Sequence, residues 1–302
     1  MFAVVVPLQN ELGDTRGLSI AIPASLASDT PHLREKTAKL GAIARAASMF
    51  GVNQIILYPD QGHDQTADLE FCAEILRYLE TPQYLRKRMF KLSPVFRFTG
   101  ILPPLQTPHH NVSRTVARVR VGDLREGLVI SRTGHDLLAD IGLEKPISVP
   151  GNYGTGERVT IRIVTVGRDL RGEIVERPEP RIFGVDTRPT YWGYRVHRAK
   201  SLGAILKEQW DLKIGTSRYG TPIQEVLTQL SKALKISRST FIAFGSPRMG
   251  LKEILAAENL APNNAFHYFV NMVPDQQILT VRTEEALLVS LGILNLTARL
   301  TE

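Results

Sequence analysis

Two strand–loop–helix units near the C-terminus constrain this chain more than any other feature. From Phe266 to Val273 the residues FHYFVNMV read as a buried strand, which Pro274 breaks before a polar loop leads into a helix. That helix is expected to begin near Thr283, because Thr283-Glu284-Glu285-Ala286 puts a capping oxygen and two carboxylates where first-turn N–H groups lack partners. Its apolar face follows from Ala286, Leu287, Val289, Ser290, Ile293 and Leu294. Upstream, the strand Phe241 to Gly245 also runs through a glycine- and proline-bearing loop into a helix, Leu251 to Ala257. Such units build open α/β sheets, whose ligands collect at the loops beyond the strands' carboxyl ends.

The N-terminal part has the same texture. Leu18 to Pro23 reads as a strand, His32 to Phe50 as a helix introduced by Pro31 and ended by Gly51, and Asn53 to Tyr58 as a buried strand. Thr66 to Leu79 follows as a second helix, so the sheet should be parallel with right-handed crossovers. From about Ser93 the runs shorten and alternate (Val116 to Val121, Gly127 to Ser131, Ile147 to Pro150, Arg158 to Val166, Gly172 to Val175), as in a small antiparallel barrel. After Asp186 the α/β pattern returns, with a helix over Arg198 to Lys207, a strand over Leu212 to Gly215 and a helix over Pro222 to Leu234. At 302 residues two domains are expected: 1–92 with 187–302, and an inserted barrel over 93–186.

The single cysteine, Cys72, excludes an intramolecular disulfide, and its FCAEIL context suggests a core thiol. No apolar run reaches membrane-spanning length, and MFAVVVPLQNE lacks the basic start of a signal peptide, so a cytoplasmic protein is expected. The net charge of +7 is unevenly placed. Thr81 to Gly122 contains eight Lys or Arg and no acid, including Arg86, Lys87, Arg88, Lys91 and Arg97. A second acid-free run, Thr187 to Lys207, carries Arg188, Arg195 and Arg198. With aromatics interleaved, these runs suit a phosphate backbone, although a solvated basic face would read the same way. GNYGTG (151–156) mimics a phosphate loop but lacks the following helix, so a β-turn region is expected. The pair His109-His110 has no companion ligand at metal spacing; it is read as RNA-facing or interdomain, with a structural role as the default.

IGTS (214–217), AFGSPRMG (243–250) and VNMVP with TVRTEEA (270–286) together resemble the SPOUT class of RNA methyltransferases. PQYLRKRMF (82–90), TPHH (107–110) and YWGYRV (191–196) extend the likeness to the archaeal and eukaryotic family assigned to RNA uridine-N3 methylation. The resemblance implies a C-terminal trefoil knot holding S-adenosylmethionine between three loops, an OB-like barrel insertion, a homodimer with a composite pocket, and a ribosomal RNA substrate. Carried over by motif, Gly245 and Ser246 would contact the ribose or methionine part of the cofactor. Asn271, Met272, Val273 and Pro274 would line its pocket, with Ile278 and Thr280 closing it; Thr216, Arg218, Gly250 and Thr283 join the set. Where the family has an acidic then a basic residue before Gly220, this chain has Arg218-Tyr219, which leaves the family's arginine contact open.

Uridine N3 carries a proton of pKa about 9, near tyrosine's range. Arg282 could stabilise the imide anion and Glu285 orient Arg282 or accept the proton, while helix capping alone also favours both residues. The resemblance leaves two further readings: an RNA-binding or ribosome-assembly factor with a weak or inactive methyltransferase fold, and a protein methyltransferase of that fold.

Overall fold

The computed structural model describes residues 15–300 apart from 29, 61, 111–112, 168, 179–190 and 247. The N-terminal leader reading, the 186/187 domain boundary, Arg188 and Pro247 lie outside the described residues. The chain opens with β1 (Gly17–Pro23), α1 (Leu33–Met49), β2 (Gln54–Tyr58), α2 (Thr66–Glu80) and α3 (Gln83–Met89). Next come β3 (Leu124–Thr133), β4 (Asp136–Asp140), β5 (Ile147–Pro150), β6 (Arg158–Thr165) and β7 (Arg171–Val175). The remainder holds β8 (Arg195–Arg198), α4 (Leu202–Leu206), β9 (Leu212–Pro222), α5 (Ile223–Ile236), β10 (Ser239–Ala243), α6 (Leu251–Ala257), α7 (Pro262–Ala265), β11 (Tyr268–Asn271) and α8 (Thr283–Thr297).

Six strands make one parallel sheet, in the order β11-β9-β10-β1-β2-β8. Burial on both faces explains its apolar strands. Leu18, Ile20 and Ile22 of β1 point into a core shared with α1, α2, α5 and α8, whereas Ala21 faces α4, α6 and α7. Cys72 lies in the first core, where burial pushes its thiol up to about 12; it is inert there. The second sheet is antiparallel, in the order β5-β4-β3-β6-β7, and β5 approaches β7 to make a nearly closed barrel around its own apolar core. No helix among the described residues is long and apolar enough to cross a membrane.

Several local expectations need correction. Val116–Arg118 is a 3-10 turn, and the strand missing from the sequence reading is β4, whose Leu137 and Ala139 face the barrel core. The helix expected from Arg198 starts only at Leu202; before it, Arg195–Arg198 pairs with β2 as an edge strand. Strand β9 runs on to Pro222, because a register shift opposite Phe269 and Val270 lets it stay paired with β11.

A buried polar cluster clasps the two sheets together. The Glu80 carboxylate, at the end of α2, accepts from Arg158 Nη1 at 2.6 Å and Nη2 at 3.1 Å, and lies 3.4 Å from Arg177 Nη2. Arg158, on β6, also donates through Nε to Glu126 of β3, which further accepts from Thr160 and from the Trp192 indole. Burial alone would raise the Glu80 carboxyl, but Arg158, His109 and Arg177 outweigh it and hold it well below the usual carboxylate range. Gly193 closes the cluster at φ +82°, and a Cβ there would overlap Glu80 Oε1 and crowd His109 Cε1.

Candidate functional site

At the carboxyl ends of the sheet, the last residues of β9 (216–221), the described residues of the loop after β10 (244–246 and 248–250) and the segment from the end of β11 (271–281) surround a cleft of about 820 Å³, counting its open mouth. The strands set the three loops side by side, and α8 supplies the floor. Of the residues expected there, Thr216, Arg218, Gly245, Ser246, Gly250, Asn271, Met272, Val273, Thr280 and Thr283 line the cleft. Pro274 and Ile278 do not, and Ile278 is 56% exposed.

Most of the polar side chains are engaged in holding the loops to one another. Thr216 Oγ1 donates to Ala243 O at 3.0 Å, and Thr283 Oγ1 donates to Gly245 O at 3.1 Å. Ser246 Oγ accepts from Met249 N at 3.0 Å and donates to Met249 O at 3.2 Å. Asn271 donates to Arg218 O and accepts from Val273 N. Arg218 itself crosses from the first loop to the third, donating to Leu279 O at 3.0 Å and to the Tyr219 hydroxyl at 2.6 Å. Thr283 therefore ties α8 to β10's loop instead of capping its helix; the N-cap is Arg282, whose N–H donates to Glu285 Oε2 at 2.9 Å. A ligand here would meet backbone groups, apolar side chains and few free side-chain donors.

One exception was misread from the sequence. Ser290 counted as part of the apolar face of α8, yet it lines the cleft, is 1% exposed, and its hydroxyl has no hydrogen-bond partner. A buried unpaired hydroxyl costs stability unless something binds it. Thr283, Ala286 and Ser290, at i, i+3 and i+7, are small residues on one face of an otherwise large-residue helix, and that spacing is the signal that could have found them. Tyr219, Gln276, Leu279 and Val281 also line the cleft and were not anticipated.

Arg282 and Glu285 are both exposed and neither lines the cleft of their own chain. Among the described residues lining it there is no carboxylate and no histidine, and Arg218 is the one charged group. No group of three or more His, Cys, Asp or Glu among the described residues is placed to hold a metal ion.

The residues expected to face RNA separate into two groups. Arg86, Lys87, Arg88, Lys91 and Arg97 line one groove between α3, the segment after it, and the barrel strand β3. Arg86 is half-buried and donates to Thr81 O and Leu79 O, and Arg88 pairs with Asp140 at 2.6 Å, which leaves Lys87, Lys91 and Arg97 as the groove's exposed charges. Of the readings open for the histidines the RNA-facing one is opposed: His109 is fully buried, and both rings approach Glu80 O through Nε2, at 3.0 and 2.6 Å. Burial and the neighbouring His109 lower His110 to about 4, so it is neutral near pH 7 and offers no cation to a phosphate. Both belong to the clasp around Glu80, which leaves the interdomain and structural readings. Arg195 is exposed on the edge strand β8 and does not line the groove.

A family profile described as "Putative RNA methyltransferase" matches residues 17–294. The chain is 32% identical to a human 28S rRNA (uridine-N(3))-methyltransferase over 92% of its own length and 77% of that protein. It is 33% identical to an uncharacterized protein of Halobacterium salinarum, covering 92% and 99%. A Drosophila melanogaster 28S rRNA (uridine-N(3))-methyltransferase is also 33% identical, over 92% of this chain and 61% of the relative.

Proposed function

The chain belongs to the RNA methyltransferase family matched over residues 17–294, and on that premise we propose that it methylates N3 of a uridine in ribosomal RNA, using S-adenosylmethionine. The observation that carries this reading is the three-loop cleft, which offers backbone polar groups, an apolar wall at Met272 and Val273, and the unpaired Ser290 hydroxyl. That mixture suits an adenosine joined to an amino acid, because backbone N–H and C=O groups read a base edge without a side chain. The bound cofactor supplies a methyl group on sulfonium for in-line displacement. The residues of the chain have the remaining tasks of placing uridine N3 in line with that methyl and managing the N3 proton.

Several finer features belong to the same proposal. The C-terminal trefoil knot belongs to the proposal; it is supported by the way the chain leaves edge strand β11 and sets α8 against α1 and α5. The barrel is a domain inserted over 93–186 into a methyltransferase domain of 1–92 and 187–302, and its basic groove receives RNA. Among the described residues no carboxylate or histidine lines the cleft, and the proposal includes a homodimer in which Arg282 and Glu285 reach the partner's cleft. Arg282→Ala should then lower the turnover at least 100-fold, with cofactor affinity within twofold and dimer mass unchanged; full activity would remove Arg282 from the chemistry. Ser290→Ala should leave unfolding stability equal or higher, because it removes an unpaired buried hydroxyl, while weakening S-adenosylhomocysteine about tenfold by calorimetry.

The reading is tested by following labelled methyl from S-adenosylmethionine into ribosomal RNA or ribosomal protein. Label in RNA alone is expected. Label in protein would favour a protein methyltransferase, and cofactor binding without any transfer would favour an assembly factor.

A further inference from the structure

The groove beside α3 combines a basic rim with an aromatic wall, and its chemistry is narrower than RNA in general. Lys87, Lys91 and Arg97 are exposed along it, with no carboxylate partner among the described residues. Behind them Tyr78, Phe90 and Phe96 form a half-buried triad: Tyr78 stacks on Phe96 at 4.7 Å, and Phe90 meets both rings edge-on at 5.2 and 5.5 Å. The Arg86 guanidinium lies over the Tyr78 ring at 4.7 Å and, through Thr81 O and Leu79 O, fixes that wall. Arg88, paired with Asp140, and Tyr84, whose hydroxyl donates to Glu126 O at 2.8 Å, hold α3 to the barrel, so the two walls keep their spacing. The empty space, about 2140 Å³ with the open mouth, is more than twice that of the three-loop cleft. Leu92, fully exposed at 108%, stands at its edge.

Duplex RNA offers a protein phosphates, 2′-hydroxyls and a shallow minor groove, and its stacked bases cannot meet an aromatic wall. Unpaired nucleotides offer both a phosphate chain and free base faces, and fixed rings behind a cationic rim match that pair of features. We propose that this groove binds a single-stranded segment of the RNA substrate, with phosphates along Lys87, Lys91 and Arg97 and bases against the Tyr78–Phe90–Phe96 wall. The inference rests on the RNA methyltransferase reading and adds which form of RNA is gripped, and where.

The test uses the full chain and two labelled RNAs of equal length, a uridine-rich single strand and a hairpin duplex. By fluorescence anisotropy the single strand should bind at least tenfold tighter. Lys87→Glu, Lys91→Glu and Arg97→Glu together should weaken it at least 30-fold and reduce the slope of log affinity against log salt by about 2. S-adenosylhomocysteine affinity should stay within twofold, which shows that the variant is folded. A 4-thiouridine strand should crosslink to the peptide containing Phe90 and Phe96. Equal affinity for duplex, an unchanged triple variant, or crosslinks confined to other surfaces would overturn the groove assignment while leaving methyl transfer standing. Absence of binding to either RNA by a wild-type protein that takes up cofactor would overturn both, and would point the groove to a peptide.

Discussion

Arg158→Met is expected to destabilise the protein by about 3–5 kcal/mol near pH 7, the usual cost of removing one partner from a buried ionic cluster. Methionine keeps the apolar stem but withdraws the guanidinium that bridges Glu80 and Glu126, both at most 5% exposed. Glu80 would keep His109 and the more distant Arg177, and Glu126 would keep Thr160 and Trp192, so two carboxylates would share too little positive charge. The pH dependence has a definite sign. Both carboxyls are resisted by burial, yet are lowered in the folded state, chiefly by Arg158. Their stabilisation is therefore complete above the unfolded carboxylate pKa of about 4.3 and is lost as pH falls through the folded values. Wild type and variant should differ most at neutral pH and converge in acid. Urea unfolding at pH 7 and pH 4 measures both quantities. A gap below about 1 kcal/mol at pH 7 would mean that the clasp contributes no more than a surface pair.

Gly245→Val should weaken S-adenosylhomocysteine at least about 100-fold, or about 2.7 kcal/mol. A Cβ on Gly245 would lie 2.9 Å from Leu251 N and 3.1 Å from Gly250 C and Cα, all backbone atoms that can yield only by moving the loop. That loop forms one side of the cleft, and Gly245 O holds the start of α8 through Thr283. Asn271→Ala removes two bracing hydrogen bonds but adds no clash, and a loss nearer tenfold is expected. Calorimetry on both variants checks the ranking, and unchanged affinity in both would place the cofactor elsewhere.

The parallel sheet was legible because its strands are apolar and buried on both faces and its first two helices are followed by Gly51 and Pro82, signals that act locally. The barrel was legible as a class but not strand by strand. In β4, DLLAD places two leucines side by side, and alternation is visible only once β3 and β5 flank it. Arg195–Arg198 was not read as a strand, and the helix was started at Arg198, because a four-residue edge strand has almost no period of its own. The three loops of the cleft were readable from glycine, proline and their family likeness. Ser290 was not, because a serine within an apolar helical stripe reads as a tolerated core residue until the cavity beside it is seen. The clasp was out of reach for a different reason: Glu80 and Arg158 are 78 residues apart, and nothing in either neighbourhood announces the other. The basic run after Thr81 was correctly seen as a concentration of charge, but which cations stay exposed depends on Asp140 and on two backbone carbonyls.

The most direct test of the account is nucleoside mass spectrometry on ribosomal RNA from cells lacking this protein, after incubation with the purified chain and S-adenosylmethionine. The account predicts that 3-methyluridine appears with wild type and is absent with Gly245→Val. A methylated nucleoside other than 3-methyluridine, no methylation by a protein that binds the cofactor, or equal 3-methyluridine from the Gly245→Val variant would contradict it.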